Sequence, residues 1–169
     1  MKTAINSILT ALPAIDSLFL EYRPPAYTPR YPDTTGARRW VDATLAAMTR
    51  DEKIGQLFIV NLQERGLQRF VGGPAAAVER YGVGGFLLPR LMPPREVFET
   101  TQRLQQASRI PLFFAADYER GVGRFNNALT ELPSNMALGA TRDTLLAAAA
   151  GRLSAIESRA IGVNFLFAP

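Results

Sequence analysis

The chain has 169 residues, 47% hydrophobic and 20% charged, enough apolar content for one ordinary core and too much for a disordered segment. With no cysteine and no histidine, it can form no disulfide, no thiolate or imidazole metal site, and neither Ser-His-Asp nor Cys-His hydrolytic machinery of its own. The formal net charge is +4, but Lys2 and Lys53 are the only lysines and Arg38-Arg39 the only adjacent arginines. The charge therefore reads as a solvated, arginine-rich surface and not as a nucleic-acid face.

Residues 1–20 carry Lys2 and a mildly apolar stretch, 8–15, broken by Thr10 and Pro13 and closed by Asp16. That is a weak match to a secretory leader, so a cytoplasmic and an exported protein both stay open, and no run approaches the roughly 18 apolar residues of a membrane span. Pro24, Pro25, Pro29 and Pro32 predict an extended linker. We expect residues 1–36 to be an N-terminal extension and linker, and 37–169 to be the folded part.

Trp40, Val41, Thr44, Leu45 and Met48 fall at helical spacing and predict a helix over 37–48. Thr49-Arg50-Asp51-Glu52 has the form of a capping box, which opens a second, short helix. Four compact apolar runs, 56–60, 86–88, 112–116 and 163–167, predict buried strands. Between them lie helical patterns over 74–81, 94–108 and 142–161, the first begun by Pro74 and stopped by Gly82, the last capped by Thr141 and stopped by Gly162. Near-continuous apolar strands alternating with helices imply an α/β fold with a parallel sheet.

Two glycine clusters need separate readings. Gly82-Val83-Gly84-Gly85 ends a helix and enters a strand, the reverse of a dinucleotide-binding order, and predicts a tight turn. Gly121-Val122-Gly123 follows a strand, but Asn126-Asn127 and Pro133 leave no room for a phosphate-binding helix. It predicts a shaped loop that either approaches a ligand or turns back over the strand ends.

The chemistry is densest at 113–125, Phe-Phe-Ala-Ala-Asp-Tyr-Glu-Arg-Gly-Val-Gly-Arg-Phe. Asp117 is the first polar residue after an apolar run, at the strand end where α/β proteins place ligands. Spacing alone allows Asp117 and Glu119 to be the acid and nucleophile of a retaining glycosidase, about 5 Å apart. It equally allows one of them to bind substrate hydroxyls while the other pairs with Arg120 or Arg124.

Five blocks in order, 40–60, Gly82-Val83-Gly84-Gly85-Phe86, Ala116-Asp117-Tyr118-Glu119-Arg120-Gly121, 132–141 and 162–169, resemble the N-terminal domain of glycoside hydrolase family 3. The block Pro133-Ser134-Asn135-Met136-Ala137-Leu138-Gly139-Ala140-Thr141 resembles the β-N-acetylhexosaminidase branch more than the β-glucosidases. The resemblance implies a (β/α)8 TIM barrel, of which this chain would supply roughly the first four strand-helix units, and a retaining hydrolase of terminal β-linked N-acetylglucosamine with no metal or organic cofactor.

It also implies roles. The residue at Asp117 binds hydroxyls of the sugar whose bond breaks, and Arg124 matches an arginine of the same subsite, although the family loop often holds one more residue between the two. In the family the nucleophilic Asp, the Lys-His block and the loop histidine come later in the sequence. The expectation is therefore a fragment, split half or remnant of a bacterial enzyme, with no catalytic residue of its own and no turnover in isolation. A non-catalytic sugar-binding or assembly subunit on a half-barrel, or a β-glucosidase-branch fragment, is the alternative. Four strands leave two sheet edges open, so homo-oligomers through those edges are expected, with Phe58, Val60, Leu87, Phe114 and Phe165 as the side chains needing cover.

Overall fold

The computed structural model describes residues 34–63, 65–125 and 128–168. The weak leader match and the proline-rich stretch up to residue 33 lie outside them. The chain divides into two compact units, Met1–Ala46 and Ala47–Pro169. The described part of the first lies in helix α1 (Thr34–Ala47), whose last residue belongs to the second unit and which starts three residues earlier than the spacing predicts. Inside it the Thr44 hydroxyl donates to the Trp40 carbonyl at 2.7 Å.

The second unit opens as the sequence says. Thr49 caps α2 (Arg50–Gly55): its hydroxyl accepts from the Glu52 amide at 3.2 Å, and the Glu52 carboxylate accepts from the Thr49 amide at 2.8 Å. The expected strand over 56–60 begins late, because the amides of Leu57 and Phe58 are still bonded to the carbonyls of Ile54 and Gly55. The helix end takes those residues, and β1 is only Ile59–Asn61. A short wide helical turn (Leu67–Val71), which the sequence did not signal, leads to α3 (Pro74–Tyr81), begun by Pro74 as predicted.

Gly82 ends α3 at φ +57. Gly84 and Gly85 then run where a methyl group would strike the carbonyls of Gln56 and Phe113. The predicted tight turn thus owes its glycines to backbone packing on both sides. Strand β2 (Gly85–Leu87), helix α4 (Pro94–Ala107) and strand β3 (Phe113–Ala116) follow.

After a single 3₁₀ turn (Val122–Phe125) the chain forms α5 (Asn135–Ala140), a helix the sequence reading missed although Ser134 caps it through a bond from the Ala137 amide. Helix α6 (Thr144–Ala160) starts later than expected. Its cap is Asp143, whose carboxylate accepts from Leu145 and Leu146, and not Thr141, whose hydroxyl donates to the Leu138 carbonyl at the end of α5. Strand β4 (Phe165–Leu166) closes the unit.

The four strands form one parallel sheet in the order β1-β2-β3-β4. That order never reverses, so there is no switch point of a doubly wound sheet, and crossovers of one hand stack their helices on one face. Register puts Val60, Phe86 and Phe114 in one row and Ala116 beside Leu166. This face carries the core, where Phe86, Leu88, Phe114 and Ala116 join Ala77 and Val78 of α3 and Val97 and Leu104 of α4.

The other face holds the rows Ile59-Gly85-Phe113 and Asn61-Leu87-Ala115-Phe165. Ile59, Phe113, Phe165 and Phe167 are exposed there. Phe165, one of the side chains expected to need cover, is exposed. Phe114 and Val60 correct that expectation: both stand in the row facing the helices, where Phe114 is buried and Val60 is partly buried against the core, and Phe114 is one residue out of phase with Phe113. Among the described residues no helix is long and apolar enough to cross a membrane.

Candidate functional site

Parallel strands deliver their ends to one side of the sheet, and the polar residues gather there. The β2 and β3 exits are tied together by the Leu88 amide donating to the Ala115 carbonyl at 2.8 Å, and β4 is tied in by Phe167 donating to Ala116 at 3.0 Å. Asp117 leaves β3 from this fixed point, and Tyr118 directly after it is buried in the core cluster, which pushes its phenol pKa up. Asp117 is thus anchored by β3 on one side and a buried ring on the other.

The carboxylate of Asp117 is ion-paired through Oδ2 with Nη2 of Arg90. The sequence reading did not single out Arg90. Its signal was there in Leu88-Pro89-Arg90, since Arg90 is the first charged residue beyond β2, as Asp117 is beyond β3.

Arg124, the other candidate, lies in the 3₁₀ turn that follows. Its guanidinium reaches Glu131 at 3.4 Å, and Arg120 reaches the same carboxylate oxygen at 2.9 Å. The alternative in which Arg120 or Arg124 pairs with Asp117 or Glu119 is not among the described contacts: both arginines reach Glu131, and Asp117 pairs with Arg90. The reason is the loop. Gly121, at φ +74, and Gly123 let the backbone fold against 129–132, where Gly123 donates to the Thr130 carbonyl at 2.9 Å and Leu132 to that of Arg120 at 2.8 Å. This brings Glu131 beneath the two arginines. The glycines thus turn the chain back on itself, one of the two roles the sequence allowed them.

The returning loop is pinned to α6 as well, since the Glu157 carboxylate accepts from the Thr130 amide at 3.1 Å and from its hydroxyl at 2.7 Å. A cleft of about 570 Å³ lies beside it, lined by Tyr118, Glu119, Asn135, Arg142, Asp143 and Leu166 among others. The site thus offers carboxylates and guanidinium groups at the mouth of a parallel sheet, a donor and acceptor set suited to hydroxyl-rich ligands.

Comparison with known proteins bears on what that ligand is. Residues 49–169 match the model of the glycosyl hydrolase family 3 N-terminal domain. The chain belongs to this family. The match starts at the Thr49 cap of α2 and runs through β4.

Within family 3, the chain is 35% identical over 130 residues to a β-N-acetylglucosaminidase/β-glucosidase of Cellulomonas fimi, covering 77% of this chain and 22% of that enzyme. The solved structure of a β-glucoside phosphorylase, BglX, superposes with a TM-score of 0.65 at 32% identity, over 80% of this chain and 23% of that one. The family 3 chain described here therefore spans less than a quarter of each of these relatives, both of which are named for action on β-glycosides.

Proposed function

We propose that this chain is the β1 to β4 half of a family 3 (β/α)8 barrel and forms one wall of a site that binds a terminal β-linked sugar. The observation that carries the reading is the position of Asp117, the first polar residue beyond β3, at the mouth of a singly wound sheet whose second face is bare. In such barrels the reacting groups come from the strand ends. An ionised carboxylate accepting sugar hydroxyls forms charge-assisted bonds that fix the ring for attack.

Asp117 holds the sugar, and Arg124 stands in the same wall. The activity of the whole protein is retaining hydrolysis of terminal β-N-acetylglucosaminides. Its acid/base and nucleophile are supplied by residues outside 1–169, so the chain alone turns nothing over. The bare face and open strand edges, uncovered, associate with further copies.

The test is a chimera in which residues 49–169 replace the matching segment of the Cellulomonas fimi enzyme. Hydrolysis of a chromogenic β-N-acetylglucosaminide is expected, and Asp117→Ala should lower kcat/KM by about 10²-fold or more, because hydroxyl contacts strengthen in the transition state. A chimera whose Asp117→Ala variant is as active as its parent rejects the role of Asp117. Release that depends on added inorganic phosphate would make the reaction phosphorolysis, the reaction for which the superposed phosphorylase is named.

A further inference from the structure

We infer that Arg90 is a positioning residue for the Asp117 carboxylate, an inference that rests on the reading of Asp117 as a sugar ligand. Arg90 donates from Nη2 to Oδ2 of Asp117. A carboxylate has two oxygens, and a pairing made through one leaves Oδ1 to accept from substrate. Without a partner the Asp117 side chain is free to rotate about its χ1 bond between staggered wells. With Arg90 it is held in the orientation that presents the second oxygen.

The way Arg90 is mounted fits that task. It sits in a turn closed by the Met92 amide donating to the Pro89 carbonyl at 3.4 Å. Leu88 and Met92, which flank this turn, are buried in the core cluster. Pro93 and Pro94 then fix the backbone into α4, where Pro94 occupies the first turn. The turn is therefore rigid before any ligand arrives, and a preorganised guanidinium loses little freedom in making its bond.

Stability alone does not account for the pair. The Arg90 side chain is 59% exposed, and exposed ion pairs are screened and contribute little to folding. Loss of Arg90 should leave the fold standing, which makes the role separable.

The test uses the chain of residues 1–169 with Arg90→Ala, Arg90→Lys and Asp117→Ala. The Asp117 χ1 rotamer is read from NMR scalar couplings, and affinity for N-acetylglucosamine from amide titration. Wild type should show one Asp117 rotamer. Arg90→Ala should show averaging over the staggered wells and bind the sugar about threefold more weakly, because only about a third of the molecules then hold Asp117 in the binding rotamer. Arg90→Lys should fall between them, and millimolar guanidinium should restore both readouts in Arg90→Ala.

A single Asp117 rotamer retained in Arg90→Ala overturns the inference, as does a loss of affinity that guanidinium leaves untouched. The two readings separate cleanly. Affinity that survives Asp117→Ala rejects Asp117 as a sugar ligand. Affinity lost in Asp117→Ala but unchanged in Arg90→Ala rejects only the part given to Arg90.

Discussion

Phe113 and Phe114 are neighbours in β3, yet Phe114 is 2% exposed and Phe113 is 54% exposed. Each belongs to an aromatic group on its own face of the sheet. On the helical face Phe114 stacks against Phe86 with ring centroids 6.3 Å apart, inside the core. On the other face Phe113 lies 5.7 Å from Phe165, which in turn meets Phe167 edge-on at 5.2 Å, and all three rings are exposed. The two faces are similar in chemistry and opposite in cover. A parallel sheet normally buries both faces, whereas here Phe113, Phe165 and Phe167 on the second face stay exposed. The geometry that leaves it bare is the same one that gathers Arg90, Asp117 and the Glu131 cluster at the strand ends.

The sharpest contrast between the faces is energetic. Truncating Phe86 to Ala should cost about 3–5 kcal/mol, through lost transfer energy and the cavity left behind. At a dilution that keeps the chain monomeric, Phe113→Ala should cost under about 1 kcal/mol, because its ring is half in water already. Urea unfolding of both variants measures this. Equal losses would mean that the two faces are equally covered in solution and would break the comparison.

Next in size is the cap of the helix that leads into β1. Thr49→Ala should cost about 1 kcal/mol, by removing the acceptor for the Glu52 amide, with no effect on association through the bare face. A melt unchanged from wild type would show that the capping box does not anchor the first strand.

The smallest effect is a pH dependence. Hydrogen bonding from the Thr49 amide, and then from Arg109, holds the Glu52 carboxyl below its ordinary value. A carboxylate with a depressed folded pKa stabilises above its unfolded pKa, and that stabilisation is lost as pH falls through the folded value. Glu52→Gln should therefore flatten the acid limb of the stability profile by a small, salt-sensitive amount. An acid limb as steep as wild type would contradict it.

Much of this arrangement was legible in the sequence, for reasons that differ by element. Gly82 with Gly84-Gly85, and Thr49 with Glu52, announce a helix stop and a helix start through local chemistry alone, and the structure shows both. The apolar runs marked the strands but not their faces. In a run with no alternation, Phe113 and Phe114 look alike, and only the register with β2 and β4 separates them. Asp117 was legible because it ends an apolar run, and Arg90 carried the same signal beyond β2. The pairings of Arg90 and Glu131 were not legible, since their partners lie 27 and 7 to 11 residues away and are brought to them by the β2–β3 pairing and by the loop that Gly121 and Gly123 fold back. The Thr141 cap failed because α5 ends there, and Asp143, with a carboxylate two residues on, makes the better acceptor for the first amides of α6.

The proposal that bears most on the account is that the face carrying Phe113 and Phe165 is an interface, and the direct measurement is light scattering on residues 1–169 paired with thermal melts at several concentrations. The claim predicts self-association, with a Tm that rises with concentration, and a shift toward monomer when Phe113 and Phe165 are both replaced by Ser. A wild-type chain that is monodisperse and monomeric, with a cooperative melt independent of concentration, would contradict it.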